Sequence, residues 1–154
     1  MLEREDYAEF LGPRAATNPK LVAIFDALDR TGTGSVECSD LTLALSIFCI
    51  GSKSMKLAFG FEILDDDRDE KLTARGVWRF IRSFLCVLLT LGNSFPNGMD
   101  YEEINRQLDS ASVATASAIL KHSKSERISF EAIADWYATE GCIKSSWIEL
   151  LDTK

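Results

Sequence analysis

The chain has 154 residues, 46% of them hydrophobic and 27% charged, which is the length of one domain or two small helical lobes and excludes bulk disorder. Its formal net charge of -7 excludes generic binding to nucleic acid or to an anionic membrane surface, since both need a basic face.

The N-terminal run Met1-Leu2-Glu3-Arg4-Glu5-Asp6 is acidic and has no apolar signal core. Residues 1–18 read as a lead-in helix, and the default setting is a reducing cytoplasm. Cys38, Cys49, Cys86 and Cys142 are scattered, with no C-x-x-C pair and one histidine, His122, so a zinc site lacks its ligands. They read as reduced thiols serving as small hydrophobes.

From Leu21 onward the chain partly repeats itself after 36 residues. Leu21 falls on Leu57, Phe25 on Phe61, Leu28 on Leu64 and Asp29 on Asp65; then Val36 falls on Leu72, Leu41 on Val77, Leu45 on Ile81 and Phe48 on Phe84. Each copy is an apolar stripe of helical period, a polar stretch of about twelve residues, and a second stripe. Segment 19–92 therefore reads as two helix–loop–helix units forming a pair, with loops 29–40 and 65–76. The longest apolar run, Phe84 to Leu91, is far short of the roughly 20 residues a membrane span needs.

Gly92 to Gly98 breaks the pattern with Gly, Asn and Pro, which sets a linker at 93–99. Residues 100–154 then form a C-terminal helical lobe. Tyr101 to Leu108 predicts a further helix, and Val113, Ala116 and Leu120 precede a third, weaker polar loop at 121–132, followed by Ile133, Trp136 and Tyr137. Strand signals are confined to the loop centres near Val36, Leu72 and Ile128, so the fold class is all-α.

The polar loops are where chemistry is concentrated. Loop one has Asp29, Thr31 and Thr33 at positions 1, 3 and 5, Ser35 at position 7, Val36 at 8 and Asp40 at 12. Loop two has Asp65, Asp67 and Asp69 at positions 1, 3 and 5, Lys71 at 7, Leu72 at 8 and Gly76 at 12. Oxygen-bearing side chains at 1, 3 and 5 aim at one hard cation, and an apolar residue at 8 meets a partner loop. Both loops resemble EF-hands. Lys56-Leu57-Ala58-Phe59-Gly60-Phe61, running into the Asp-rich loop, resembles the calcineurin-B and neuronal-calcium-sensor branch, and Ile128-Ser129-Phe130-Glu131-Ala132-Ile133 resembles its "ISFEEF" exit. The resemblance spans roughly residues 20 to 140. It implies EF-hand units, one N-terminal pair plus a degenerate C-terminal one, and calcium as cofactor, with magnesium as the alternative ion.

The departures imply weak or absent binding. Position 12 of loop one is Asp40, one methylene short of the usual Glu. Loop two keeps three aspartates but has Glu70 where position 6 needs Gly, and Gly76 where position 12 needs a carboxylate. Loop three has Lys121 at position 1 and Ala132 at position 12 and reads as inert toward metal.

The helix from Val77 to Leu91 is apolar on nearly every face beyond Phe84. Trp78, Ile81, Phe84, Leu85 and Leu88 are the candidate floor of a groove for an amphipathic partner helix, or for a second copy of the chain. Trp147, Ile148, Leu150 and Leu151 form an amphipathic stretch that caps the C-terminal lobe or fills that groove until a target displaces it. No sequence motif places a carboxylate or cysteine beside His122 for nucleophilic work, and the Thr31–Ser35 run lacks the Gly-Lys-Ser/Thr ending of a phosphate loop. The sequence thus predicts a binding protein rather than an enzyme: a weak calcium sensor that docks a partner helix, or a metal-independent adaptor.

Overall fold

The computed structural model describes residues 1–92 and 101–152, and the expected linker at 93–99 lies outside the described residues. Strand β1 (Leu2–Glu3) leads into helix α1 (Arg4–Ala16), and α2 (Pro19–Leu28) follows. Loop one carries β2 (Ser35–Val36) and ends in α3 (Cys38–Leu45) and a 3₁₀ turn (Ser46–Phe48). Helix α4 (Lys53–Leu64), β3 (Leu72–Thr73) and α5 (Ala74–Leu91) make the second unit. Then come α6 (Tyr101–Ser123), β4 (Arg127–Ile128), α7 (Phe130–Trp136), a π-helical turn (Tyr137–Gly141), the short α8 (Cys142–Lys144) and a 3₁₀ segment (Ser146–Leu151). The protein is all-α, with four two-residue strands among the described residues.

Local chemistry explains the boundaries. Asn18 caps α2 by accepting from the Lys20 amide at 3.0 Å, with Pro19 in the first turn, where its missing N–H costs nothing. Thr73 and Ser129, each at loop position 9, cap α5 and α7 by accepting from the Gly76 and Ala132 amides at 3.1 and 3.2 Å. Helix α1 is broken inside by Gly12 at φ 74°, followed by Pro13.

Sequence order placed loops one and two in one pair; the strands pair otherwise. β1 pairs antiparallel with β2, Leu2 opposite Val36, and β3 pairs with β4, Leu72 opposite Ile128. Each of these four apolar residues sits just ahead of a helix start. Leu2 therefore does for loop one what a position-8 residue does, and β1–α1 repeats the strand-and-exit-helix half of a unit.

One continuous core joins the units. Val77, Phe80, Ile81, Phe84, Leu85, Cys86 and Val87 of α5 are buried, and α5 packs on α2, α3 and α6. At roughly 1.5–3 kcal/mol for each fully buried large apolar side chain, α5 is the main apolar contributor to folding. Arg82 crosses the same junction. Its guanidinium donates to Asp109 Oδ1 at 2.7 Å, to the Ala27 carbonyl at 3.0 Å and to the Asn105 side chain. Asp109 also accepts from Arg30 at 2.9 Å, and the Trp78 ring lies against both guanidiniums, with centroid distances of 5.3 and 5.8 Å. One carboxylate on α6 thereby ties that helix to α5 and to the loop that follows α2.

Candidate metal centre

Loops one and two fold on the same local plan. Asp29 and Asp65 end their incoming helices, and each turns its carboxylate back onto two loop amides. Asp29 accepts from Thr33 N at 3.1 Å and Gly34 N at 2.7 Å; Asp65 accepts from Asp69 N at 3.3 Å and Glu70 N at 2.8 Å. Positions 4 and 6 are left-handed in both. Loop one uses Gly32 and Gly34 there (φ 66° and 80°), whereas loop two forces Arg68 and Glu70 into φ 55° and 60°. Loop three is shorter, because α6 runs on to Ser123, beyond the point where the other two loops begin.

In loop two the carboxylate oxygens of Asp65, Asp67 and Asp69 lie within 4.8 Å of one another. Three hard anionic oxygens at that spacing fit a hard divalent cation. Position 12, Gly76, adds nothing. A guanidinium stands at the loop instead: Arg127 Nη2 donates to Asp67 at 2.7 and 3.0 Å and to Asp69 at 3.0 Å, and reaches the Lys71 carbonyl at 3.4 Å. Arg127 comes from β4, which the strand pairing places beside β3 with Arg127 opposite Thr73. Its hydrogen bond holds the Asp67 carboxyl below the usual carboxylate range, and Asp67 in turn raises the guanidinium.

In loop one, Thr31 and Thr33 hydroxyls lie 3.0 Å apart, Thr33 and Ser35 3.3 Å apart, and Thr31 Oγ1 donates to Asp29 at 3.4 Å. Asp40 is turned to Arg79 of α5, which donates from Nε at 2.9 Å. Burial pushes the Asp40 carboxyl up despite the opposing pull of Arg79.

No protein-family model matches the chain, and no solved structure matches it. It is 41% identical over 66 residues to the calcineurin-B protein of Schizosaccharomyces pombe, covering 42% of this chain and 38% of that protein. It is 38% identical over 58 residues to the calcineurin-B protein of Naegleria gruberi, covering 37% of this chain and 33% of that one. Phospholipase D B of Dictyostelium discoideum is 26% identical over 125 residues, 81% of this chain and 10% of that protein. The matches span between a tenth and four-tenths of these relatives' own lengths.

Over about two-fifths of its length the chain is similar to calcineurin-B subunits.

The structure brings together Asp65, Asp67, Asp69 and the Lys71 carbonyl, and separately Asp29, Thr31, Thr33 and Ser35, while Asp40 is engaged by Arg79. The residues expected at a docking surface are divided. Ile81, Phe84 and Leu85 are core, at most 5% exposed; Trp78 and Leu88 are half-buried, and Trp78 is stacked with Arg30 and Arg82. In this arrangement the α5 face is covered rather than open. The 3₁₀ segment Ser146–Leu151 packs on α4 and α5, with Ile148 and Leu151 buried, and Lys53 pairs with Glu149 across that contact. Sequence reasoning missed Arg127 and Arg79. The available signal for Arg127 was its place immediately before a position-8 residue, which reads as a loop-two contact only after loop three is paired with loop two.

Among the described residues no helix is long and apolar enough to cross a membrane.

Proposed function

We propose that this EF-hand protein is a calcium-binding regulatory module of weak affinity that holds a helix of a protein partner in the cytoplasm, and that it binds rather than catalyses. The carrying observation is the trio of carboxylates at Asp65, Asp67 and Asp69 with oxygens within 4.8 Å, backed by the Lys71 carbonyl. Calcium is a hard cation that takes six to eight such oxygens, and it would be held by those residues; magnesium is the natural competitor. Loop one is the weaker site: its donors are Asp29 and three neutral hydroxyls, and Asp40 is tied to Arg79.

Weakness follows from the donor count. Gly76 supplies no carboxylate at the position that ordinarily links the ion to the exit helix, so coupling from ion to α5 is loose. The partner surface is the α5 face bearing Trp78, Ile81, Phe84, Leu85 and Leu88, reached only when the segment Ser146–Leu151 leaves α4 and α5 and the helices packed on α5 move apart. The calcineurin-B relatives are named as subunits, which supports a partner-holding role. The second reading, a metal-independent adaptor, is favoured by a specific observation: an arginine already stands at an acidic position of each loop, Arg79 at Asp40 and Arg127 at Asp67 and Asp69.

The test is isothermal titration of the chelator-stripped chain with calcium in about 1 mM magnesium. Saturable heat that is lost in Asp65→Ala supports the module reading and places the ion in loop two. An absence of heat up to millimolar calcium rejects it and leaves the adaptor.

A further inference from the structure

We propose that Arg127 is the resident cation of loop two: its guanidinium, delivered by the paired strand of loop three, takes the place of a divalent ion among Asp67, Asp69 and the Lys71 carbonyl, and competes with calcium for it. This rests on the calcium reading above and supplies its reason for low affinity.

The argument is geometric and then electrostatic. Residues 65–70 carry five carboxylates and one arginine, and five like charges this close need a cation. Arg127 Nη2 touches acceptor sites that point into the loop: both oxygens of Asp67, Oδ1 of Asp69 and the position-7 carbonyl. An ordinary surface ion pair meets one carboxylate and contributes little. Arg127 Nε is buried and makes no hydrogen bond, and Nη2 is the atom that bonds the loop. Its position is fixed from behind, because β3 and β4 are paired with Arg127 opposite Thr73 and with Leu72 and Ile128 fully buried next to it. A cation tethered on a rigid strand acts at high effective concentration, so a free ion must outcompete it and the observed affinity falls in proportion. A guanidinium needs no bidentate carboxylate from position 12, which makes Gly76 consistent with an arginine-filled loop.

The test is calcium titration calorimetry on the full chain, wild type beside Arg127→Ala, Arg127→Gln and Arg127→Ala/Asp67→Asn, with circular dichroism to establish folding. Arg127→Gln keeps the β4 backbone pairing and side-chain bulk should Arg127→Ala fail to fold. The expected result is a gain in calcium affinity of about tenfold or more in both single variants, abolished by the added Asp67→Asn. In chelator, the single variants should melt below wild type, and added calcium should restore them. Unchanged or weaker calcium binding in Arg127→Ala and Arg127→Gln overturns the proposal, even where wild type binds and the module reading survives. Binding by the variants beside an inert wild type upholds the proposal and rejects that reading. Absence of binding in all of the folded proteins overturns both.

Discussion

Asp40 Oδ1 accepts from Arg79 Nε at 2.9 Å, and Arg79 also donates to Ser39 Oγ at 2.6 Å. The last residue of loop one is therefore held by the exit helix of loop two. The Arg79 and Asp40 side chains are mostly buried, at 16% and 23% exposure, so the pair is shielded from the screening that weakens surface bridges. Removing one partner leaves the other buried and unsatisfied. Arg79→Ala is expected to cost about 2 kcal/mol in urea denaturation. Asp40→Asn should cost less, since the amide still accepts from Arg79 and carries no buried charge.

Glu70 occupies the left-handed conformation that Gly34 takes in loop one. An L-residue there costs about 1 kcal/mol relative to glycine. Glu70→Gly is expected to stabilise the protein by roughly that amount and to remove one carboxylate from a crowded loop. Gly34→Ala should destabilise by a similar amount through backbone strain alone, because nothing lies within 4 Å of the added Cβ. Paired thermal melts would check both, and a Glu70→Gly variant less stable than wild type would contradict the argument.

His122 Nε2 lies 2.8 Å from Asp135 Oδ2, and Nδ1 lies 3.6 Å from Glu140 Oε1. The hydrogen bond to Asp135, together with the nearby Glu140 carboxylate, raises the imidazole pKa against an opposing burial effect. A raised folded-state pKa means that the protonated form stabilises the fold. That stability is fully present below the unfolded value of about 6.5 and is lost as pH rises through the higher folded value. His122→Gln should lower the melting temperature most at acidic pH and converge on wild type above neutrality. A difference independent of pH would show that the histidine acts by packing alone.

Burial pushes the Cys86 thiol up to about 12, against a lowering pull from Arg82, while Cys38, Cys49 and Cys142 are exposed. The thiolate is the reactive form, so reactivity should follow exposure. A thiol reagent at about pH 8 is expected to modify Cys38, Cys49 and Cys142 in the native protein and to reach Cys86 only after denaturation. Native labelling of Cys86 would indicate opening of the α2–α5 contact, where its sulfur donates to the Ile24 carbonyl at 3.7 Å.

The loops, the helix that follows each of them and the all-α class were legible because their signals are local. Oxygen-bearing side chains at positions 1, 3 and 5 and an apolar residue at position 8 act within about a dozen residues of chain. The long helix ending at Leu91 was legible for the same reason, from its period. The surroundings of α5 were not. The same apolar residues satisfy a buried core and an open groove, and only the packing of α2, α3 and α6 around Phe84 and Ile81 distinguishes them.

By itself the sequence determined which positions of each loop carry oxygens and where the carboxylate complement falls short, because ligand spacing is a property of one short segment. The tertiary structure decided which loops meet. Val36 takes Leu2 and Leu72 takes Ile128, although all four residues are interchangeable in local pattern, and the choice follows from which helices bury their apolar faces together. That choice then set the electrostatics: pairing β3 with β4 carried Arg127 to Asp67 and Asp69, and packing α5 on α3 carried Arg79 to Asp40. A charge recruited from a distant segment leaves no periodic trace in the sequence, since its position is fixed by packing and not by spacing along the chain.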